Sequence, residues 1–289
     1  MRRFHPKDIE SWLALVQSPC PLPSMPWQAP HFLKPYHLAT LALALRRHPG
    51  HALALPARLQ RYARAMHLGK VPALRRGPGR LAQAGTCSHF PLEHLRHEHA
   101  VEAMAQRLSR MFAPVCRNHA TIKALDIVLQ ELMGNCFAHS GVEDEVMGVI
   151  CAQAWPKGRR AQITLADAGV GIRASLARNL DLGSQLAAGN SCELATGYGV
   201  SSSPGHDHSG YGLAVARKLL EQNDGALYLR SGREAFFNVA RVQHRFPTRV
   251  VYDGCMVVME WDLDRPMDIQ AEYRDFPLPE GVTEDELDL

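Results

Sequence analysis

The chain has 289 residues, of which 46% are hydrophobic and 21% are charged, and its formal net charge at pH 7 is +3. This composition is typical of a soluble globular protein, and the length is enough for one large domain or two ordinary ones. The longest apolar runs fall far short of the roughly 18–20 residues that cross a bilayer, so no membrane association is predicted.

The charge is distributed unevenly along the chain. Residues 1–85 contain thirteen Lys and Arg against two Asp and Glu, whereas residues 284–289 are acidic. A basic half can bind nucleic acid or an acidic partner protein. The basic residues are spread over several predicted elements without a tight cluster among aromatics. A solvated face is therefore favoured over nucleic-acid binding.

The amino terminus and the cysteines indicate the cellular compartment of the protein. Residues 1–6 are basic, but no long apolar stretch with a small-residue cleavage site follows, so no signal peptide is predicted. The seven cysteines are scattered, and no pair has CxxC spacing. This pattern favours reduced thiols over a disulfide framework, and we expect a cytoplasmic protein.

The amino-terminal residues 1–85 are predicted to form a small α/β module. An amphipathic stretch and a proline-rich run come first. Residues 35–47 and 57–68 have helical patterns, and residues 51–55 are a short apolar strand between them. Residues 69–85, rich in Gly, Pro and Arg, are the predicted linker.

Residues 86–265 are predicted to form a larger α/β domain, and residues 266–289 a loosely structured acidic tail. Helices are predicted at residues 94–112, 121–139 and 212–222. Strands are predicted at residues 146–154, 161–166, 226–230, 236–242 and 256–263, the first two as an antiparallel hairpin. Residues 172–209 lack strong periodicity, as in a functional lid or a disordered loop. Their serine run, 201–203, is interpreted as flexible filler.

The first of three polar segments lies on the helix predicted at 121–139. A spacing of four places Glu131, Asn135 and His139 on one face, beside the apolar stripe. An amide oxygen suits Mg²⁺, a hard cation with few protein ligands. A carboxylate one turn earlier can orient or deprotonate an attacking water. The alternative is the polar face of a surface helix.

Two glycine-containing segments follow. Residues 167–171, DAGVG, come directly after a predicted strand. A carboxylate there can accept a hydrogen bond from an exocyclic amine such as that of adenine, and the glycines allow close approach to a ligand. Residues 209–213, SGYGL, open a predicted helix whose unpaired backbone donors favour phosphates. The alternatives are a simple glycine-rich turn and a helix start that glycine permits.

The order of these segments resembles the GHKL superfamily. E-x-x-x-N-x-x-x-H on a helix, D-x-G-x-G after a strand, a lid-length loop and G-x-G-L opening a helix follow one another over about residues 95–263. The superfamily includes the ATPase domains of DNA gyrase, mismatch-repair proteins, sensor histidine kinases and anti-sigma serine kinases. The resemblance implies a Bergerat-type α/β sandwich with an antiparallel-rich mixed sheet, ATP and Mg²⁺ as ligands, and residues 172–209 as the ATP lid.

The resemblance also implies roles for individual residues. Asp167 would read the adenine, Asn135 would hold Mg²⁺, and Glu131 would be the candidate general base. The other residues implied to contact the nucleotide are His139, Gly169, Gly171, Gly210, Gly212 and Leu213.

Two positions depart from the superfamily pattern. Gly254-Cys255 stands where Gly-Thr is usual, which puts one hydroxyl contact near the adenine in doubt. Ala214 replaces a further glycine after Leu213. Neither departure removes the core chemistry that the resemblance implies.

Residues 1–85 resemble, more weakly, the STAS-like protein-interaction modules found beside anti-sigma-type ATP-binding domains. The likeness rests on Phe32 to Pro35 leading into an apolar helix, on the strand before Pro56 and on the helix that bears Tyr62. The alternative is a family-specific helical extension.

Together these features predict an ATP-binding regulatory protein with a protein partner, and a homodimer is compatible with this interpretation. Slow ATP hydrolysis or phosphoryl transfer to a serine of that partner is the expected chemistry. Two alternatives are kept: a non-catalytic nucleotide-sensing module, and a DNA-associated GHKL ATPase.

Overall fold

The computed structural model describes residues 3–17, 30–47, 55–68, 89–116, 118–138, 146–203 and 210–275. A five-stranded sheet with spatial order β1-β2-β3-β5-β4 forms its centre. The strands are β1 (His89–Leu95), β2 (Gly148–Trp155), β3 (Arg160–Asp167), β4 (Ala226–Val239) and β5 (Val242–Asp262). All four pairings among the described strands are antiparallel, so the predicted α/β fold with an antiparallel-rich sheet is confirmed.

Ten α-helices accompany the sheet in the described part of the chain. They are α1 (Pro6–Val16), α2 (Pro35–Arg47), α3 (Ala57–Ala65), α4 (Val101–Met111), α5 (His119–Ala138), α6 (Ile172–Leu176), α7 (Gly183–Ala188), α8 (Ser191–Leu194), α9 (Gly212–Gln222) and α10 (Ile269–Asp275). None of the described helices is both long and apolar enough to cross a bilayer.

Helices α4, α5 and α9 cover one face of the sheet. Because successive residues of a strand point to opposite faces, Ile163 and Leu165 of β3 lie on this side, in the same core as Leu132 of α5. Helix α5 begins at an N-cap, where the Asn118 side chain accepts a hydrogen bond from the Ala120 amide at 2.8 Å. Its buried stripe then orients the polar face that carries Glu131 and Asn135.

Helices α1, α2 and α3 cover the opposite face of the sheet. Leu13, Leu38 and Leu59, one from each helix, share a second core with strand residues such as Tyr228. The fully buried guanidinium of Arg230 in β4 donates a hydrogen bond to the carboxylate of Glu10 at 2.9 Å, and this ion pair links α1 to the sheet. The described helices from residues 1–85 therefore lie directly on the sheet of the larger unit.

The predicted amino-terminal module is described only in part. Helix α2 has both predicted bounds, and α3 lies within the predicted residues 57–68. Residues 51–54 of the predicted strand and the predicted linker 69–85 lie outside the described residues. The domain boundary and the STAS-like identity stay predictions.

Several predicted elements differ in the structure because distant partners define them. Residues 94 and 95 end strand β1 instead of starting a helix, since His94 pairs with Val149 of β2. The strands predicted at 226–230 and 236–242 form one strand, β4, which ends at Val239 and has register shifts on both sides of Gly232. The strand predicted at 256–263 is longer, since β5 begins at Val242, where it pairs with Val239 of β4. Residues 269–275, expected to be loosely structured, form helix α10 on α5 and α9.

The segment predicted as a lid is ordered over residues 172–203. Helices α6, α7 and α8 form there because each buries apolar side chains, among them Leu176, Leu186 and Cys192, in the core shared with α5. Residues 204–209 lie outside the described residues. The described part is thus a packed wall beside the sheet.

Candidate functional site

The three polar segments of the sequence meet around one cleft. It lies between α5, the carboxyl end of β3, the start of α9 and residues 171–202, and it encloses about 910 Å³, part of it open to solvent. Seven of the predicted site residues line it: Glu131, Asn135, Asp167, Gly171, Gly210, Gly212 and Leu213.

The two remaining predicted site residues are Gly169 and His139. Gly169 is not in the cleft wall, but the Gly169 amide donates a hydrogen bond to Asp167 Oδ1 at 2.9 Å. His139 lies outside the described residues. The structure therefore assigns Gly169 to positioning Asp167.

Asp167, the last residue of β3, places a half-buried carboxylate in the cleft wall. Its Oδ1 atom also accepts a hydrogen bond from the Cys255 amide at 3.0 Å. Burial raises the pKa of this carboxyl to about 6, although the two backbone donors and the charge of Arg47 act in the opposite direction. At neutral pH the group is ionised and acts as a hydrogen-bond acceptor.

Gly254 lets β5 approach the end of β3. It has φ +99°, and a Cβ atom at this position would lie 2.2 Å from the Asp167 carbonyl oxygen. Only glycine fits such an approach without a backbone shift. The same approach brings the Cys255 amide to the Asp167 carboxylate, so the Gly254-Cys255 pair positions the acid.

Ser231 ties three segments together behind the cleft. Its hydroxyl donates to the Gly254 carbonyl at 2.8 Å and accepts from the Ile172 amide at 2.9 Å. Gly171 also packs against Ser231, since a Cβ atom on Gly171 would lie 2.8 Å from Ser231 Oγ. Sequence reasoning missed Ser231 because no local pattern marks it. Gly254 does have a sequence signal, because it occupies the glycine position of the usual Gly-Thr pair.

Helix α5 supplies the polar wall of the cleft. Glu131 and Asn135 are one turn apart on the same helix face, as their spacing predicts, and both are half-buried. Leu132 and Cys136, on the adjoining helix face, extend the wall with apolar surface. A carboxylate and a side-chain amide therefore lie in the cleft wall beside an apolar surface.

Helix α9 begins at the cleft, next to α5. A Cβ atom on Gly212 would lie 2.7 Å from the Glu131 Cβ atom, and one on Gly210 would lie 2.6 Å from the Val200 carbonyl oxygen. The first turn of a helix has backbone amides without intrahelical partners and a positive dipole end, which together favour anions. Ala214, the departure from the superfamily pattern, is buried in the first turn and leaves both glycine contacts intact.

The chemistry of the wall suits a nucleotide with a hydrated cation. Apolar side chains that can contact a planar base line the same cleft as Asp167: Leu165, Ile172, Leu176 and Val257. No group of three or more His, Cys, Asp or Glu side chains that could hold a metal occurs among the described residues. Asn135 and Glu131 could thus supply only a few oxygen ligands, as is usual for Mg²⁺ held partly by substrate phosphates and water.

Comparison with known families agrees with this arrangement. The family model for histidine kinase-, DNA gyrase B- and HSP90-like ATPases matches residues 120–250. A comparison with curated proteins found no match. The matched range runs from α5 into β5 and includes Glu131, Asn135, Asp167, Gly210 and Gly212. Residues 120–250 therefore form a GHKL-type ATP-binding domain of this ATPase family.

Proposed function

We propose that the chain is a regulatory protein that binds ATP with Mg²⁺ in this cleft and either hydrolyses it slowly or transfers its terminal phosphoryl group to a serine of a partner protein. The observation that carries the proposal is the convergence of Asp167, Asn135 and Glu131 with the glycine-opened start of α9 around one cleft. The proposal has three further parts that rest on the sequence. They are the binding of the partner protein through residues 1–85, a cytoplasmic location and homodimerisation.

Each polar group has a proposed task. The ionised Asp167 accepts a hydrogen bond from the exocyclic amine of adenine, while the apolar wall contacts the base. The Asn135 amide oxygen is the proposed Mg²⁺ ligand. Bound Mg²⁺ would neutralise phosphate charge, which is the main requirement of phosphoryl transfer. Glu131 is the proposed base for the proton of the attacking water or serine hydroxyl.

Binding is tested by calorimetry with ATP and ADP, with and without Mg²⁺. We expect the wild type to bind ATP in an Mg²⁺-dependent manner. Asp167→Asn should weaken both nucleotides by roughly 10- to 100-fold, since a hydrogen bond to a charged group contributes about 1.5–3 kcal/mol. Asn135→Ala should remove most of the Mg²⁺ dependence. Unchanged nucleotide affinity in the Asp167→Asn variant would contradict the assignment of Asp167 to adenine binding.

Catalysis is tested with Glu131→Gln. Glutamine keeps the side-chain atoms that pack on Gly212, so the variant removes the charge and retains the shape. We expect ATP affinity to stay within about threefold of wild type and phosphate release to fall by about 100-fold or more, the usual contribution of a general base. If wild type and variant bind ATP equally and neither releases phosphate nor labels a partner, the chain is a nucleotide-sensing module.

A further inference from the structure

The last turn of α2 reaches the strands that hold Asp167. Helix α2 lies on the second face of the sheet, where Leu41 shares a core with Ala166, the residue before Asp167 in β3. The helix ends in two consecutive arginines, Arg46 and Arg47. Cations are favoured at this end of a helix, because its last carbonyl groups carry partial negative charge.

Arg47 contacts β5 directly before the Gly254-Cys255 pair. Its Nη2 atom donates to the Asp253 carbonyl at 3.0 Å, and its Nη1 atom lies 3.4 Å from the Asp253 carboxylate. The next two residues are those that approach Asp167 most closely, and the Cys255 amide donates to its carboxylate at 3.0 Å. An exposed ion pair by itself contributes little to stability. The importance of this contact is therefore the segment that it holds.

Arg46 contacts the strand on the other side of β3. Its Nη1 atom donates to the Val146 carbonyl at 3.2 Å, just before β2 begins. Two residues later, Gly148 pairs with Asp167 in the antiparallel register. Strands β2 and β5 are the two neighbours of β3 in the sheet. The end of α2 thus contacts both segments that flank the carboxylate of Asp167.

Arg47 also brings a positive charge to this end of the sheet. Its charge lowers the pKa of Asp167, which burial raises to about 6. Cys136 of α5 and Tyr252 and Cys255 of β5 also interact with Asp167, but burial raises the pKa of each, so they are neutral at pH 7. The other charged side chain of the described cleft wall, Glu131, is acidic. Among the described residues, Arg47 is thus the cation that acts on Asp167.

We infer that α2 contributes to the nucleotide site without lining the cleft. Arg47 is a positioning residue that holds residues 253–255 against Asp167, so the docking of the amino-terminal helices on the sheet sets the affinity of the cleft for nucleotide. This inference rests on the proposed function, since it assumes that Asp167 binds the adenine. Because such coupling is reciprocal, bound nucleotide stabilises the contact of α2 with β5, and a partner that displaces α2 weakens nucleotide binding.

The first experiment measures ADP affinity by calorimetry between pH 5.5 and pH 8 for wild type, Arg47→Gln, Arg47→Lys and the control Arg64→Gln. Arg64 is an exposed arginine of α3 that donates to the Gln60 carbonyl of its own helix, so the control removes a charge from the same region without affecting β5. Protonation of ADP itself affects all four proteins equally.

We expect Arg47→Gln to bind ADP about two- to fivefold more weakly than wild type at pH 6.5, the size of an exposed charge interaction. The pH below which affinity declines should be higher in this variant, because the positive charge that favours the ionised Asp167 is gone. The difference from wild type should be smaller at pH 8, where Asp167 is ionised in both proteins. Arg47→Lys should restore the pH profile, since lysine keeps the charge.

Amide hydrogen exchange tests the reciprocal effect. Saturating ADP should slow exchange at residues 44–47, the last turn of α2, by about two- to fivefold in the wild type, because the coupling has the same size in both directions. Arg47→Gln should lose this protection. Exchange that ADP does not change in the wild type would overturn the inference.

The other outcomes are also distinct. Support requires weaker binding by Arg47→Gln near pH 6.5, its rescue by lysine and no effect of Arg64→Gln. Wild-type affinity of Arg47→Gln at every pH, an equal loss at every pH without rescue, or the same loss in Arg64→Gln would overturn the inference and leave nucleotide binding standing. A wild type that binds no ADP, or Asp167→Asn with unchanged affinity, would overturn the proposed function together with the inference.

Discussion

Gly212 at the start of α9 lies directly against Glu131 of α5. A Cβ atom on Gly212 would come within 2.7 Å of the Glu131 Cβ atom, closer than real Cβ contacts allow. The contact involves the base of the glutamate side chain and not its flexible end, so a rotamer change cannot relieve it. The glycine therefore sets the separation of the two helices at the cleft.

Gly212→Ala should destabilise the protein. Overpacking costs about 1–3 kcal/mol, and the better helix propensity of alanine returns up to about 1 kcal/mol, so we expect a net loss of about 1–2 kcal/mol in the free energy of unfolding. Urea denaturation measures it. The control is Gly134→Ala in α5, where a Cβ atom meets nothing within 4 Å and alanine should stabilise. Equal effects of the two substitutions would contradict the proposed close contact.

Gly254→Ala should be more damaging than Gly232→Ala. Both glycines have positive φ, +99° and +55°, but a Cβ atom on Gly232 meets nothing within 4 Å, whereas one on Gly254 lies 2.2 Å from the Asp167 carbonyl oxygen. Gly232→Ala should therefore cost only about 1–2 kcal/mol of backbone strain. Gly254→Ala should cost at least about 2 kcal/mol more, since β5 must also move. Comparable unfolding free energies would show that the clash is relieved without cost.

ATP affinity should decline as the pH falls below about 6. Burial raises the pKa of Asp167 to about 6, so the carboxylate that accepts the adenine hydrogen bond becomes protonated in this range. Calorimetry between pH 5 and pH 8 measures the change. Protonation of the nucleotide phosphates also changes the affinity in this pH range. The Asp167→Asn variant separates the two effects, because only the wild type has a carboxylate at this position that can be protonated. Parallel pH profiles of the two proteins would contradict this role.

Asp167→Asn should stabilise the protein at neutral and alkaline pH. The folded pKa, about 6, is above the ordinary value of 3.8, so the folded state holds its proton more tightly than the unfolded state. The cost of burying the charge is absent below the ordinary pKa, grows as the pH rises from about 4 to 6 and is complete above 6. At pH 8 the variant should gain on the order of 2–3 kcal/mol. A gain that does not vanish near pH 4 would have another cause.

Glu234→Gln should loosen helices α7 and α8. Glu234 of β4 pairs with Arg173 at 2.6 Å and accepts hydrogen bonds from both the amide and the hydroxyl of Ser191. A partly exposed ion pair contributes about 1 kcal/mol, so amide hydrogen exchange at residues 183–194 should become about fivefold faster. Glu193→Gln removes an exposed contact with Arg245 and serves as the control. Unchanged exchange in the Glu234 variant would show that the apolar contacts alone hold the helices.

Local signals were enough to predict several elements and the composition of the site. The apolar stripe and the Asn-Asp-Gly stop give α9 its bounds, and a short turn between two apolar runs predicts the pairing of β2 with β3. The spacing of four between Glu131 and Asn135 places them on one face, because the helical period is nearly four residues.

Contacts between distant residues decided what these signals could not. The end of β1, the continuity of β4 and the helices of residues 172–194 depend on partners far away in the chain. The hydrogen bonds of Ser231 with Gly254 and Ile172 also depend on residues far apart in the chain. Nothing in the sequence around these three residues indicates that they are in contact.

The amino acid sequence by itself determined that Glu131 and Asn135 share one helix face and where glycines allow a turn, because backbone periodicity and glycine geometry are local properties. Tertiary structure decided how Asp167 is buried and held, that α1, α2 and α3 cover the second face of the sheet, and that Ser201 and Ser202 join the wall. These properties depend on exclusion of water by packed elements, and no single segment of the chain contains that information.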